Sequence, residues 1–343
     1  ASIPSKVDLS ISFIDADGIP EPVNAFVLPQ GTVFTTGNGI EFISIDNISV
    51  PQDATSIVVP CSQETKIVNQ LLGITTADLS QVYTLGTDYA NNTIDLKRGG
   101  VVWTLKDTLG RSTNIDKHYI VDISTDKIAF IRFGDGVNGA IPIPGQEIRG
   151  DYSTTKGVKG NVSIGAINTT GYDFSAHGIT ATTITNYYDA VAGSDYEDIE
   201  KIRRSAPLSI RTLDRAVTKQ DYIDITKLAP GVDKANINTT CGKAIEIYIV
   251  PNGGGIAPQS LLDSTKDFVE LRKMLTTFIT LLPTGQSDLI IDMDIKARFR
   301  APLAQTQQDI INVLTSAFSY ATSDVNKPIR TSDIIALVDN LEK

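Results

Sequence analysis

The chain has 343 residues, of which 41% are hydrophobic and 20% charged, and its formal net charge is −10. That balance supports a buried core and excludes a disordered chain, while the acidic sum argues against a protein that wraps nucleic acid, whose phosphates call for clustered Lys and Arg. A length beyond the ~250–300 residues at which single cores stop growing points to two or three domains, and no apolar run approaches the ~18 residues of a membrane span.

The start, ASIPSKVDLS, lacks a basic stretch followed by an apolar one, so no secretory leader is expected. Ala1 stands where an initiator methionine would, which points to an upstream or processed segment. Val7, Leu9, Ile11 and Phe13 then alternate with polar residues, the period of a half-buried strand. Short β-branched runs follow between turn signals: AFVL before Pro29-Gln30-Gly31, TVF, IEFISI, and SIVV closed by Pro60. The rhythm continues through YTL, TIDL, VVWTL, YIVDI, KIAFIRF and EIRGDYST to about residue 175. In FGDGVNGAIPIPG the glycines mark a turn between KIAFIRF and a second strand, AIPI.

At Ser194 the period changes. Ser194-x-x-Glu197 has capping-box spacing, Ile199, Ile202 and Ala206 share a helical face, and Pro207 closes the segment. Thr218-x-x-Asp221 repeats the start signal before Tyr222, Ile225, Leu228 and Ala229, and Pro230-Gly231 ends that helix. Beyond lie a strand at Ala244 to Val250, a helix striped by Phe268, Leu271, Leu275, Phe278 and Leu282 up to Pro283, a strand alternating from Ile291 to Phe299, and two helices around Ile310 to Phe318 and Ile334 to Leu341. The expected fold class is a multi-domain α+β protein: a β-rich domain over 1–180, either single or of two subdomains, a helical connector over 181–235, and a small α+β domain over 236–343.

Chemistry-bearing patterns are scarce. Cys61 and Cys241 have no CxxC spacing, His118 and His177 fall in no zinc motif, and no GxSxG elbow occurs, so neither cofactor nor metal is expected. The FGDGVNG loop fails the calcium-loop pattern because Val137 and Gly139 hold the alternate positions, and it opens no helix as a phosphate loop would. Asp15-Ala-Asp17-Gly18 likewise reads as a turn. One charge feature stands out: Lys201, Arg203, Arg204, Arg211, Arg215 and Lys219 face a single acid, Asp214. Such a run is either a solvated helix face or a contact for an acidic neighbour, including another copy of the chain.

In order, LPQGTVFTTGNGIEF, FGDGVNGAIPIPGQEIRGDYSTTKGVKGNV and AGSDYEDIEKIRRSAPLSIRTLDRAVTKQDYIDITKLAPGVDKANI resemble the baseplate J-like family, wedge proteins of contractile phage tails. The resemblance covers most of residues 20 to 250. It implies a non-enzymatic virion protein of the tail baseplate, assembled in the host cytoplasm as several copies in a ring around a central hub and spike. Its partners would be other copies of itself and other wedge, hub and sheath-proximal proteins, with no nucleic acid, membrane or small-molecule substrate, and ring rearrangement would trigger contraction. Family members commonly carry a helical N-terminal region and continue past the last helix read here. The candidate subunit interface comprises Ile199, Ile202, Arg203, Arg204, Arg211, Arg215, Tyr222 and Ile225. The rivals are a glycan-binding or adhesin module of a tail fibre, disfavoured by 7% aromatic content and one tryptophan, Trp103, and a carboxylate-pair glycan hydrolase.

Overall fold

The computed structural model describes Ser2 to Leu341 except residues 77, 99–100, 197–202, 204–206, 208–210, 213, 240–243, 286–288, 295–302, 321 and 326. The described residues form an α+β molecule, rich in strands in its first half and carrying its helices late. Three hydrophobic cores organise it.

The first core is built on Lys6–Ile14. Val7, Leu9, Ile11 and Phe13 are at most 1% exposed, as their alternation predicts. Burying side chains of this size contributes ~1.5–3 kcal/mol each, and the strand lies one from the edge of its sheet, between Ser56–Ser62 and Ala181–Asn186. The antiparallel sheet runs Ile167–Thr170, Val33–Thr36, Glu41–Ser44, Ser56–Ser62, Lys6–Ile14, Ala181–Asn186. Phe13, Phe26 and Phe174 meet edge to face with centroids 6.1 to 6.3 Å apart, and His177 stacks on Phe26 at 4.3 Å. Pro60 does not end its strand as the sequence suggested. Its carbonyl still accepts the Ile45 N–H, and pairing with Glu41–Ser44 begins only at Cys61, so the missing donor falls beyond that neighbour's end.

The second core is nested inside the first. Thr65–Ile74 and Glu147–Thr154 pair with Thr65 opposite Thr154, so the chain enters and leaves this unit side by side. Two four-stranded sheets enclose Tyr89, Leu96, Trp103, Tyr119, Phe133 and Ile148 among other buried residues. Thr65–Ile74 escaped the sequence reading because it is an edge strand with little alternation in burial, interrupted by Asn69 at φ 55°.

The third core joins α1 (Lys219–Leu228) and α2 (Gln259–Glu270) to a sheet ordered Val232–Thr239, Ala244–Pro251, Phe278–Pro283, with α3 (Leu303–Ala317) and α4 (Thr331–Asp339) following. Thr218 caps α1 with the expected reciprocal box to Asp221. The helix expected up to Pro283 is instead a helix, a loop and a strand. α2 buries Leu261, Leu262, Thr265 and Val269, whereas Phe278–Pro283 pairs parallel with Ala244–Pro251 and buries Ile279 and Leu281 at spacing two. Leu271 and Leu275, counted as helix stripe, stand in the loop. Ile291 to Asp294 form no strand, and the rest of that expected strand lies outside the described residues.

Candidate assembly site

The glycines of KGVKGN and AGSD are brought together where the three cores meet. Gly157 opens a 3-10 turn (Gly157–Gly160) at φ +55°, and a Cβ there would lie 2.1 Å from Asp195 Oδ1. A Cβ on Gly193 would lie 2.6 Å from the Gly157 carbonyl oxygen, and one on Gly160 would lie 2.8 Å from Ser5 Oγ. Only hydrogen fits at these crossings. Polar groups then fasten the segments: Asn161 Nδ2 donates to the Gly193 carbonyl at 3.0 Å while Gly193 N–H donates back to Asn161 Oδ1 at 2.9 Å, and Val158 N–H donates to Asp195 Oδ1 at 3.1 Å. Ile3 and Ser194 exchange backbone hydrogen bonds at 2.8 and 3.0 Å. Ser194, expected to cap a helix, thus sits in a β-bridge, and Glu197 lies outside the described residues.

The first strand also reaches into the third core. The N-cap of α2 is Pro258, which has no side-chain acceptor, and Asp8 Oδ2 supplies one by accepting the Gln259 N–H at 2.8 Å. Lys6 Nζ donates to Ser264 Oγ at 2.8 Å and to the Ser260 carbonyl at 3.2 Å. Burial sets the ionisation of both groups. Desolvation pulls the Lys6 ammonium below its usual range against the attraction of Glu64 and Asp263, and desolvation pushes the Asp8 carboxyl up against the opposing Gln259 amide.

The FGDGVNG loop is closed on itself. Asp135 Oδ1 accepts the N–H groups of Val137 at 2.9 Å and Asn138 at 2.8 Å, which hold its carboxyl below the usual range. Gly136 and Gly139 adopt φ +86° and +93°, and a Cβ on Gly134 would lie 2.3 Å from the Gly139 carbonyl. The AIPI run is not the strand expected: Ala140 N–H donates to the Asp116 carbonyl, and the segment continues as irregular chain. Beside the loop Asp122 is held by Arg132 at 2.7 Å. Asp15 Oδ1 closes its own turn through the N–H groups of Asp17 and Ile19. Among the described residues no group of three His, Cys, Asp or Glu could hold a metal ion, and no helix is long and apolar enough to cross a membrane.

The expected interface residues fall into four sets. Arg203 is helical and exposed, Pro207, expected to close that helix, is itself helical, and Arg215 is exposed. Arg211 forms an ion pair with Asp224, a carboxylate on α1 whose side chain is 3% exposed. Tyr222 and Ile225 are each 1% exposed in the third core, and the Tyr222 hydroxyl accepts the Met274 N–H at 3.2 Å. Ile199, Ile202 and Arg204 lie outside the described residues. Sequence reasoning missed Lys6 and Asp8, whose only signal was a lone pair of charges on an otherwise uncharged strand. It also did not assign Gly157, Gly160 and Gly193 to contacts between cores.

No family model matches the chain, and no curated protein matches it. Among solved structures, a chain of a complex described as "Cryo-EM structure of the anti-feeding prophage (AFP) baseplate, 6-fold symmetrised" is similar over 98% of this chain and 70% of its own, at 12% identity and a TM-score of 0.31. At that level the likeness carries no argument.

Proposed function

We propose that the chain is a structural wedge component of the baseplate of a contractile tail or related injection apparatus, working through protein–protein contacts and passing the contraction trigger between neighbours. One observation carries this reading. KGVKGN and AGSD, two runs within the longer segments that carry the resemblance, meet at the crossing of the three cores and act there as packing and hydrogen-bonding surfaces. A subunit that transmits displacement has to be stiff at its internal joints, and glycine crossings fastened by reciprocal hydrogen bonds make such a joint. The partners in this reading are further copies of the chain and the wedge, hub and sheath-proximal proteins around it, and the connector with Arg203, Arg211 and Arg215 faces them. Tyr222 and Ile225 serve that surface from beneath by anchoring α1.

Gold labelling of a tagged chain in assembled particles tests the reading. Label at the tail end is expected, and label along the sheath or only on free protein would defeat it. Hydrogen exchange on free and assembled protein then addresses the surface: protection should rise across residues 195–229, and unchanged exchange there removes the connector from the interface.

A further inference from the structure

The edge of a β-sheet presents main-chain groups that any other strand can pair with, and natural edges are blunted by charge, by bulges or by being short. Thr65–Ile74 follows that rule. Its pairing shifts register between Ile148 and Arg149 and again between Gly150 and Tyr152, and it carries Lys66. Phe278–Pro283 does not follow it. This strand lies at the edge of the three-stranded sheet, its pairing with Ala244–Pro251 runs without a shift, and residues 274–287 include no charged side chain. Phe278 is 73% exposed, and among the described residues no strand pairs on the outer side.

A segment suited to that edge stands five residues downstream. Residues 289–294, LIIDMD, belong to no helix or strand, and Ile290 is 89% exposed. Ile291 and Met293 alternate with Asp292 and Asp294, the pattern of a strand with one buried and one wet face. Leu289 lines the same groove as Pro283, Thr284 and Gly285, so the segment starts beside the end of the bare strand. The five connecting residues, 284–288, include Gly285 and match a common hairpin length.

We infer that residues 289–294 are a strap that closes on Phe278–Pro283 as a fourth, antiparallel strand, leaving this edge open to other chains only while the strap is away. Folding back over the five-residue loop sets Pro283 opposite Leu289 and Phe278 opposite Asp294, so the two segments pair end to end. Directly opposed residues of an antiparallel pair share a face. Leu281 then lies beside Ile291 and Ile279 beside Met293, on the face where Ile279 and Leu281 already join the third core. Thr280, exposed on the other face, lies beside Asp292. A slip of one residue would turn both aspartates toward the core, so the alternation rejects it. With the strap closed, the outermost strand carries Asp292 and Asp294, the charges that the bare edge lacks.

Cysteine pairs in the full chain test the strap, with Cys241→Ser as background and Cys61 buried. Thr280→Cys with Asp292→Cys puts the thiols on opposed residues of one face, and Thr280→Cys with Met293→Cys puts them on opposite faces one residue apart. On mild oxidation the first pair should form a disulfide within one chain at least tenfold faster than the second. Equal rates would overturn the inference, since a segment that merely passes near the edge reaches both positions alike. Disulfides between chains in place of within one would overturn it too, giving the edge to a second copy. Hydrogen exchange reads the same closure without new thiols. The amides of 278–283 that do not bond Ala244–Pro251 should exchange at least tenfold faster in the double variant Ile291→Asp with Met293→Asp than in the wild type, and unchanged exchange would count against the strap. Both positions lie outside the three cores, and circular dichroism checks that the fold persists. The inference stands apart from the baseplate reading, and either can fail alone.

Discussion

Two glycine-rich stretches of this chain look alike in sequence and differ in what they hold together. In FGDGVNG the close approach is between Gly134 and Gly139, five residues apart, and Asp135 ties down the amides of its own turn. In KGVKGN and AGSD the close approaches join Gly157 and Gly160 to residues as distant as Asp195 and Ser5, and the hydrogen bonds run between segments far apart in sequence. The first stretch shapes one unit, and the second sets how units sit against each other. Glycine content alone therefore says nothing about the range of a constraint. What matters is whether the atom that would strike the added Cβ belongs to the same turn or to a distant segment.

That difference can be broken experimentally. The largest effect is expected for Gly193→Ala, whose Cβ would meet a backbone carbonyl and the Asn161 side chain. A destabilisation of ~3 kcal/mol is expected, visible in urea unfolding as a split of the transition when the cores come apart. Gly134→Ala should cost ~2 kcal/mol by the same overpacking but confine the loss to the nested unit, so that amide protection falls over 65–154 and persists on Lys6–Ile14. A split transition for this variant as well would erase the distinction. Asp8→Ala removes a helix cap supplied from another core and should cost ~1 kcal/mol, read out as faster proteolysis near Gln259 while the first sheet stays intact.

The smallest effect concerns pH. Asp135 has its folded pKa lowered by the Val137 and Asn138 amides, so its contribution is present above the unfolded value of 3.8 and is lost as pH falls through the folded value. Its carboxyl should titrate below 3.8 by NMR, with the two amide resonances shifting together. Asp8 has the opposite sign. Its folded pKa is raised by burial, so the penalty for its charge grows as pH climbs from 3.8 through the folded value, and Asp8→Asn should remove that dependence.

Much of the fold was legible because periodicity and burial agree on Lys6–Ile14, Ala129–Phe133 and α1, where alternation or a capping box has one structural solution. The reading failed where two periods fit one stretch. Leu271, Leu275, Phe278 and Leu282 match a helical stripe, yet Ile279 and Leu281 match a strand, and parallel pairing with Ala244–Pro251 decided for the strand. Tertiary pairing of that kind leaves no local trace. The candidate site was harder still. The cationic run was visible as composition, but that its Arg211 pairs with the buried Asp224 of α1 shows only in the fold. Lys6 and Asp8 gave no motif at all, since a cap donated across cores has no fixed spacing in sequence.

The pairing of Thr65 with Thr154 has one more consequence. Because the nested unit departs and returns through adjoining positions, its size and shape are free of the path of the surrounding sheet. Replacing residues 66–153 with a short Gly-Ser bridge should leave the six-stranded sheet able to close, its own contacts lying outside the excision. A body arranged in this way can gain, lose or exchange an outer lobe without redesign of the frame that carries it.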